Sequence, residues 1–417
     1  MRWGAGSVSG DMTRTAVLAV LARQGPLSRA EVAERLGLSP ATVTTITRRL
    51  LADGMVAEGG PRTPPTGRPS IPVALVPDSA HALGVQVARE HVTVVLTRLD
   101  ASVVRGFRQA FDPAAPDAVG RLTDLIRAEI DDAVRRGLPL LGVGVAVPGV
   151  VEPETGTLRM SVRLGWTGLP LAATLRDALG LPVLVDNDIS AVTATERLYG
   201  PGADCADFLL VAIGQGIGLG MVLDGAPYRG ADGAAGEFGH LPVLPDGPVC
   251  SCGNRGCLET QVSTESLLRR AAELGILAPG ADPGQLDQPD QPDQPDQLDQ
   301  LDQPSQLDQL GQAADQGRPA AVALLDEAGE LLGRALAGAI NLLGPRLVIV
   351  IGEIVPLWPR LAEPFNRALA AHLLPCVRQT RIDVRPWDDD LIAVAAAGIV
   401  LAAPLAAPRQ RSQGRAG

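Results

Sequence analysis

Residues 236–259 hold one histidine and three cysteines in a short stretch broken by glycine and proline. One imidazole and three thiolates suit the tetrahedral coordination of Zn²⁺, and a set of four protein ligands leaves no open position, as in structural zinc sites. Gly253 and Gly256 allow the backbone to curl between the cysteines. The spacing favours one structural zinc ion per chain over unpaired thiols. The predicted ligands are His240, Cys250, Cys252 and Cys257.

Two glutamates lie near the ends of this segment, and an aspartate follows a predicted strand upstream. Glu237 and Glu259 bracket the cysteines; they suit either hydrogen bonds from a polyhydroxylated ligand or a plain pair of surface acids. Asp188 follows an apolar run and suits either a general base for a sugar hydroxyl or a simple acceptor. The glycine-rich residues 214–220 suit either a phosphate-binding turn or a tight hairpin.

The N-terminal residues carry the pattern of a winged helix-turn-helix. An apolar stripe at residues 17–21 indicates a first helix, and Ser28 with Glu31 forms a capping box that begins a second. Ser39 caps a third helix. The inward face of that third helix is predicted to consist of Val43, Ile46 and Leu50.

The outward face of the third helix is rich in hydroxyl groups and arginine, which reach base edges and phosphates in a major groove. A Pro- and Gly-rich loop, residues 59–70, follows as a wing whose arginines suit a minor groove. Residues 1–70 contain nine arginines and five acidic residues, a local charge of +4 on a chain of net charge −11. DNA binding is therefore favoured over a helical hairpin for protein contact. The predicted DNA contacts are Thr42, Thr44, Thr45, Arg48, Arg49, Arg62 and Arg68.

Beyond the wing, strand patterns alternate with helix patterns, as in α/β proteins. The tract at about 281–316 repeats (Leu/Pro)-Asp-Gln, and we expect a disordered insert because it can bury little apolar surface. The apolar run 391–408 is Ala-rich and broken by proline, which predicts a buried helix in a cytoplasmic protein and not a membrane span. The predicted domains are a winged helix (1–78), a small α/β lobe (79–187, completed by a helix at about 390–404) and a large α/β lobe with the zinc site (188–389).

The segment 211–240, VAIGQGIGLGMVLDGAPYRGADGAAGEFGH, and the following CSCGNRGCLE resemble the signature and zinc motif of the ROK family of repressors and sugar kinases. The resemblance extends over nearly the whole chain. It implies an α/β body with the actin-like (ribonuclease H-like) fold of two lobes, which bind a sugar in the cleft between them. Asp188 matches the catalytic base of the kinases, and His240 would both ligate zinc and touch the sugar. The sugar contacts implied by the resemblance are Asn187, Asp188, Glu237, His240, Glu259 and Gly149.

The chain departs from the kinases of this family where they bind ATP. In the kinases a D-x-G-G-T motif holds phosphates and Mg²⁺. The matching segment of this chain has neither the aspartate nor the two glycines, and it contains an additional acidic residue. The family's nucleotide-side Gly-Gly is here Gly352-Glu353. These departures favour a regulator without enzymatic activity over a kinase. The segment that replaces the phosphate motif is Gln86-Val87-Ala88-Arg89-Glu90.

The resemblance and the winged helix together predict a transcriptional regulator, a repressor, with a sugar or sugar phosphate as effector. We expect a homodimer or homotetramer, because two-fold assemblies read inverted-repeat operators. Two alternatives stay open: an ATP-dependent hexose kinase, and a sugar-binding protein whose winged helix no longer binds DNA.

Overall fold

The computed structural model describes residues 7–62, 70–278, 305–386, 388 and 390–403. The chain divides into two compact units: Met1–Ala203 with Asp390–Gly417, and Asp204–Asp389. The sequence-based division between the lobes lay after residue 187, whereas the structure groups the next helix with the first unit because that helix packs on the C-terminal helix. Within the described residues, no helix is long and apolar enough to cross a membrane.

The N-terminal part of the first unit consists of helices and a small antiparallel sheet. Its elements are α1 (Ser7–Gln24), β1 (Leu27–Ser28), α2 (Arg29–Leu36), α3 (Pro40–Ala52), β2 (Val56–Glu58) and β3 (Pro72–Leu75). The strands lie in the order β1-β3-β2. The predicted capping box is present: Ser28 Oγ accepts the Glu31 N–H at 3.2 Å, and the Glu31 carboxylate accepts the Ser28 N–H at 2.7 Å. Ser39 caps α3 by accepting the Thr42 N–H. The local signals in the sequence therefore predicted where these helices begin.

The rest of the first unit is an α/β lobe. Its elements are β4 (His81–Val87), β5 (His91–Arg98), β6 (Val103–Ala110), α4 (Ala118–Arg135), β7 (Leu140–Val147), β8 (Val150–Glu152), β9 (Thr157–Ser161), β10 (Trp166–Leu169), α5 (Leu171–Leu179), β11 (Val183–Asn187), α6 (Asp188–Tyr199) and, from the C-terminal segment, α12 (Leu391–Ala402). The main sheet has the order β11-β7-β4-β5-β6, and a smaller one has the order β10-β9-β8. Strands β11, β7 and β4 are parallel, while β5 and β6 run antiparallel to their neighbours. One face of the main sheet is covered by α4 and α5.

Two glycines allow α12 to lie directly on the other face of this sheet. Gly84 of β4 and Gly144 of β7 are cross-strand neighbours. A Cβ atom at Gly84 would lie 1.9 Å from the Ala393 carbonyl oxygen, and one at Gly144 would lie 1.7 Å from that of Ala396. Most residues of α12 are buried. The described part of the apolar C-terminal run is thus a buried helix, as predicted.

The winged helix and the α/β lobe share one hydrophobic core. Val17 of α1 and Leu50 of α3 belong to the same buried cluster as Ala397 of α12. The Thr15 hydroxyl also donates to the Ala402 carbonyl oxygen at 3.4 Å. Helix α1 packs in addition on α6. The winged helix is therefore joined to the lobe by side-chain packing as well as by the connecting chain.

The second unit is built on another five-stranded sheet, of order β14-β13-β12-β15-β16. Its elements are β12 (Phe208–Ile213), β13 (Ile217–Leu223), β14 (Ala226–Pro227), α7 (Glu259–Val262), α8 (Thr264–Glu273), α9 (Gln306–Asp315), α10 (Pro319–Leu343), β15 (Leu347–Ile351), α11 (Trp358–His372) and β16 (Arg381–Val384). Gly333 of α10 allows α11 to approach closely, because a Cβ there would lie 2.4 Å from the Phe365 carbonyl oxygen. These helices and the sheet enclose one large hydrophobic cluster.

Helix α9 corrects the expected extent of the disordered insert. Residues 306–315 were assigned to it, but they form a helix that begins at a capping box between Ser305 and Asp308. Leu307 and Leu310 are buried in the core of the second unit. The helix forms because its leucines recur on one face and that face finds a partner in the tertiary structure. Residues 281–304 of the predicted insert lie outside the described residues.

Candidate functional site

The predicted metal ligands converge in the second unit. One ligand atom from each of His240, Cys250, Cys252 and Cys257 lies within 4.8 Å of all the others. Cys250 Sγ is 3.5 Å from His240 Nδ1, and Cys252 Sγ is 3.7 Å from Cys257 Sγ. Tetrahedral zinc bonds of about 2.3 Å to sulfur and about 2.0 Å to nitrogen require ligand separations of roughly 3.5–3.8 Å. The donor set and its spacing therefore fit a tetrahedral metal ion.

The cysteine loop curls at the two glycines identified in the sequence. Gly253 and Gly256 have φ angles of +90° and +64°, in the left-handed region that favours glycine. A Cβ at Gly256 would lie 1.5 Å from the Leu244 carbonyl oxygen. The Asn254 backbone N–H lowers the pKa of Cys252, whereas burial raises the pKa of Cys257. The backbone thus holds close together two thiols, of Cys252 and Cys257, whose pKa values are shifted in opposite directions.

Two further glycines attach the loop bearing Glu237 and His240 to strand β13. A Cβ at Gly236, whose φ is +98°, would lie 2.1 Å from the Leu219 carbonyl oxygen. A Cβ at Gly239 would lie 2.5 Å from the Ile217 carbonyl oxygen. Side chains at either position would push the loop off the strand. These contacts with β13 fix the positions from which the Glu237 and His240 side chains project.

The histidine connects the cysteine cluster to a carboxylate. His240 presents Nδ1 to the cysteines, and its Nε2 lies 3.6 Å from Glu237 Oε2. Ligating histidines commonly present their second nitrogen to such a partner, which orients the ring. Glu237 remains exposed. Glu259, the first residue of α7, accepts the Ile217 N–H through Oε2 at 3.2 Å and is half-buried. Both carboxylates are therefore anchored beside the cluster, and Glu237 is accessible to a ligand.

In the first unit, Asn187 links the end of β11 to the loop after β7. Its Oδ1 accepts the Ser190 N–H at 3.0 Å and so caps α6, while its Nδ2 donates to the Gly149 carbonyl oxygen at 3.0 Å. Gly149 has a φ of +119°, and a Cβ there would lie 2.4 Å from the Met160 carbonyl oxygen. The amide of Asn187 therefore holds the local backbone, which makes it a positioning residue for Asp188.

Asp188 is the first residue of α6. Burial raises the pKa of Asp188 to about 6, even though the Ile189 N–H, which donates to Oδ1 at 2.8 Å, and the Arg163 guanidinium both act to lower it. Its carboxylate is a strong hydrogen-bond acceptor near neutral pH. Arg163 lies in the connection between β9 and β10. Its influence on Asp188 was not predicted from the sequence, because nothing local indicates that this connection lies near residue 188.

The two segments with a possible relation to phosphate binding both contain tight turns. Residues 86–90 contain the end of β4 and the turn to β5, where the Ala88 N–H donates to the His91 carbonyl oxygen at 2.9 Å and Arg89 and Glu90 are exposed. In residues 214–216, the Gly214 N–H donates to the Gly216 carbonyl oxygen at 2.9 Å between β12 and β13. The glycine-rich segment is thus a hairpin, one of its two sequence-based interpretations.

The predicted DNA-contacting face of α3 is exposed. Val43 and Leu50 are buried and Ile46 is half-buried, as its spacing indicates. The Thr44 and Thr45 hydroxyls donate to backbone carbonyl oxygens one turn earlier in the helix. Arg68 lies outside the described residues. The exposed members of the predicted set are Thr42, Thr44, Thr45, Arg48, Arg49 and Arg62.

The residues implied to contact a sugar divide between the two units. Gly149, Asn187 and Asp188 belong to the first, whereas Glu237, His240 and Glu259 belong to the second. The four predicted metal ligands all belong to the second unit, and the exposed face of α3 belongs to the first.

Comparison with known proteins assigns the chain to a family. The sequence profile of the ROK family matches residues 82–397, and a profile of winged helix-turn-helix DNA-binding domains matches residues 11–57. The chain belongs to the ROK family. The N-acetylglucosamine repressor of Escherichia coli O6:H1 is 28% identical to this ROK protein over 396 residues, 95% of this chain and 93% of that one.

Solved ROK structures have the same fold. A ROK-family transcriptional regulator, a homologue of the E. coli MLC protein, has a TM-score of 0.74 and 26% identity, covering 95% of this chain and 97% of its own. A ROK glucokinase from Streptomyces griseus, in complex with glucose and AMPPNP, has a TM-score of 0.61 and 26% identity, covering 76% of this chain and 98% of its own. The predicted fold class, an actin-like α/β body behind a winged helix, is thereby confirmed.

Proposed function

We propose that this ROK protein is a transcriptional repressor that binds operator DNA through its winged helix and responds to a sugar or sugar phosphate. The observation that carries the proposal is the hydrophobic core shared by α1, α3 and α12, which joins the winged helix to the lobe that bears Asp188. The relative named as an N-acetylglucosamine repressor supports the proposal, since the similarity extends over nearly the whole length of both chains.

Helix α6 is the element through which ligand binding affects the winged helix. It begins at Asp188, it packs on α12, and it contacts α1. Within the α6–α12 contact, the Thr195 hydroxyl donates to the Ala395 carbonyl oxygen at 3.4 Å. A ligand that engages Asp188 biases the position of α6 and hence the packing beneath the winged helix. This coupling makes operator affinity depend on effector concentration.

The effector is recognised mainly by carboxylates. Asp188, Glu237 and Glu259 accept hydrogen bonds from hydroxyl groups, and charge-assisted bonds of this kind are strong. Asn187 and Gly149 hold the backbone beside Asp188. The His240–Cys₃ cluster binds one zinc ion, whose closed coordination stiffens the loop from which Glu237 and His240 project. The metal accordingly has a structural role.

The exposed face of α3 enters the major groove of the operator. Its hydroxyl groups and arginines suit base edges and phosphates, and the wing arginines suit the adjacent minor groove. A homodimer or homotetramer presents paired winged helices to an inverted repeat, with half-sites about one helical turn or a multiple apart. Arg48 and Arg49 are the exposed cations of α3 and supply its phosphate contacts.

The alternative of an ATP-dependent hexose kinase is favoured by one observation, the raised pKa of Asp188, which suits a general base. The turn at residues 86–90 opposes it, because side chains replace the glycines that phosphate approach requires and Glu90 adds negative charge. A coupled assay with ATP and a panel of hexoses distinguishes the two. Turnover that Asp188→Asn abolishes would establish the kinase.

The repressor proposal is tested in two stages. Thermal unfolding is first screened against sugars and sugar phosphates, because a ligand that binds only the folded state raises Tm. Binding to the intergenic DNA upstream of the protein's own gene is then measured by fluorescence anisotropy with and without the stabilising sugar. We expect specific binding that the sugar weakens. The proposal fails if the protein binds this DNA no more tightly than a random duplex, or if no stabilising sugar changes its affinity.

A further inference from the structure

Two adjacent residues of α1 have buried polar side chains whose partners lie in different parts of the first unit. Arg14 and Thr15 are only 4% and 5% exposed. Neighbouring residues of a helix point about 100° apart around its axis, so the two side chains face different elements. The Thr15 hydroxyl donates to the carbonyl oxygen of Ala402, the last residue of α12. The Arg14 guanidinium instead lies at the C-terminal end of α3.

Arg14 binds the residue at which α3 ends. Its Nη2 donates to Asp53 Oδ2 at 2.9 Å and to Met55 Sδ at 3.2 Å. Asp53 is the C-cap of α3, and its N–H donates to the Arg49 carbonyl oxygen at 2.9 Å. Met55 immediately precedes β2. Arg14 therefore contacts both the end of the predicted DNA-contacting helix and the start of the strand that leads to the wing.

Stability alone does not account for this ion pair. A carboxylate at the C-terminal end of a helix is unfavourable, because that end carries partial negative charge. Burying the guanidinium of Arg14 requires its desolvation, and apolar side chains of similar volume often hold two helices together equally well. The ion pair adds a defined geometry, because a directional hydrogen bond fixes the end of α3 relative to α1. Apolar contacts alone would allow the two helices to slide.

We propose that Arg14 is a positioning residue that links the C-terminal end of α3 to α1 and, through the adjacent Thr15, to α12 of the lobe. Helix α1 also packs on α6, so a shift of α6 or α12 moves α1. The Arg14–Asp53 ion pair carries this movement to Arg49. The inference rests on the proposed function and adds the contact through which the lobe regulates the winged helix. Because such coupling is reciprocal, DNA binding by α3 must also stabilise or loosen α12.

The test measures this reciprocal effect and therefore needs no identified sugar. Amide hydrogen exchange of the full-length protein is followed with and without a saturating duplex from the intergenic region upstream of its own gene. We expect the DNA to slow exchange in α3 and, by at least about fivefold, in the last turn of α12, residues 399–402. Arg14→Met should keep the slowing in α3 and lose most of it at residues 399–402. A purely structural role would change exchange equally with and without DNA.

Two further variants make the outcome decisive. Arg29→Met is the matched control, because Arg29 forms a comparable ion pair with Glu58 at 2.6 Å and donates to Thr47 of α3 at 3.1 Å, but belongs to α2. In this variant DNA should still slow exchange fully at residues 399–402. Asp53→Asn keeps an oxygen acceptor for Arg14 while removing the charge. It should therefore fold even if Arg14→Met does not, and it should lose part of the slowing.

The possible results separate the inference from the function on which it rests. A protein that binds the duplex no more tightly than random DNA would overturn both. Specific binding without slower exchange at residues 399–402 in the unsubstituted protein would overturn the inference alone. So would equal slowing in folded Arg14→Met, or in Asp53→Asn where Arg14→Met does not fold. Loss of the slowing in Arg29→Met as well would also overturn it, because the effect would then not depend on α1.

Discussion

Replacing Gly144 with alanine tests whether α12 lies in backbone contact with the sheet of the first unit. The new Cβ would lie 1.7 Å from the Ala396 carbonyl oxygen and 2.5 Å from its carbonyl carbon. Non-bonded carbon and oxygen atoms approach to about 3.3 Å, so the helix must move by more than about 1 Å. The obstructing atoms belong to the backbone, and no change of rotamer can relieve the overlap.

We expect a large loss in the free energy of unfolding, because α12 packs both on the main sheet of the α/β lobe and in the core of the winged helix. Overpacking a core typically costs about 1–3 kcal/mol and sometimes more, and we expect about 3 kcal/mol or more here. For a unit of this size that corresponds to a fall in Tm of roughly 6–12 °C. Operator affinity should fall too, since Ala397 of the displaced helix belongs to the core of the winged helix.

The matched control is Gly120→Ala in α4 of the same unit. No atom lies within 4 Å of the Cβ that this substitution adds, so the lower conformational entropy of alanine should raise stability by about 0.5 kcal/mol. Both variants are measured by urea and thermal unfolding with circular dichroism, and by DNA binding. A Gly144→Ala variant within about 1 kcal/mol of the unsubstituted protein would refute the direct contact of α12 with the sheet.

Three further outcomes follow from the sites. Cys252→Ser should reduce zinc from about one ion per chain, measured by elemental analysis, while Cys376→Ser, outside the cluster, should not. Arg49→Ala should weaken operator binding at least about tenfold and reduce its salt dependence, whereas exposed Arg127→Ala should change neither. Burial raises the pKa of Asp188 from 3.8 to about 6 in the folded state, so its contribution to stability is fully present below pH 3.8 and is lost as pH rises through about 6. Asp188→Asn should abolish this loss in pH-dependent unfolding and weaken effector binding. Unchanged zinc content, operator affinity or pH dependence would contradict the corresponding assignment.

Features that depend on neighbouring residues were predictable from the sequence. The caps at Ser28 and Ser39 form between residues three positions apart, so their signals are local. The spacing from His240 to Cys257, with glycines between, likewise indicated a metal cluster before any fold was known. The motif at residues 211–240 resembles the family signature and so implied the fold class; it contains Gly236 and Gly239, which allow the loop to lie against β13.

The tertiary structure decided what long-range contacts determine. Helix α9 forms within a predicted disordered tract because Leu307 finds a core to pack against. Arg163 influences Asp188 through a turn that only folding brings near it. The Thr264 hydroxyl donates to the carboxylate of Glu353, 89 positions away in sequence. The sequence by itself determined the local elements, the His/Cys₃ cluster and the family, because short-range geometry and residue type suffice for those. The tertiary structure alone decided which side chains share an environment, because that depends on which distant segments pack together.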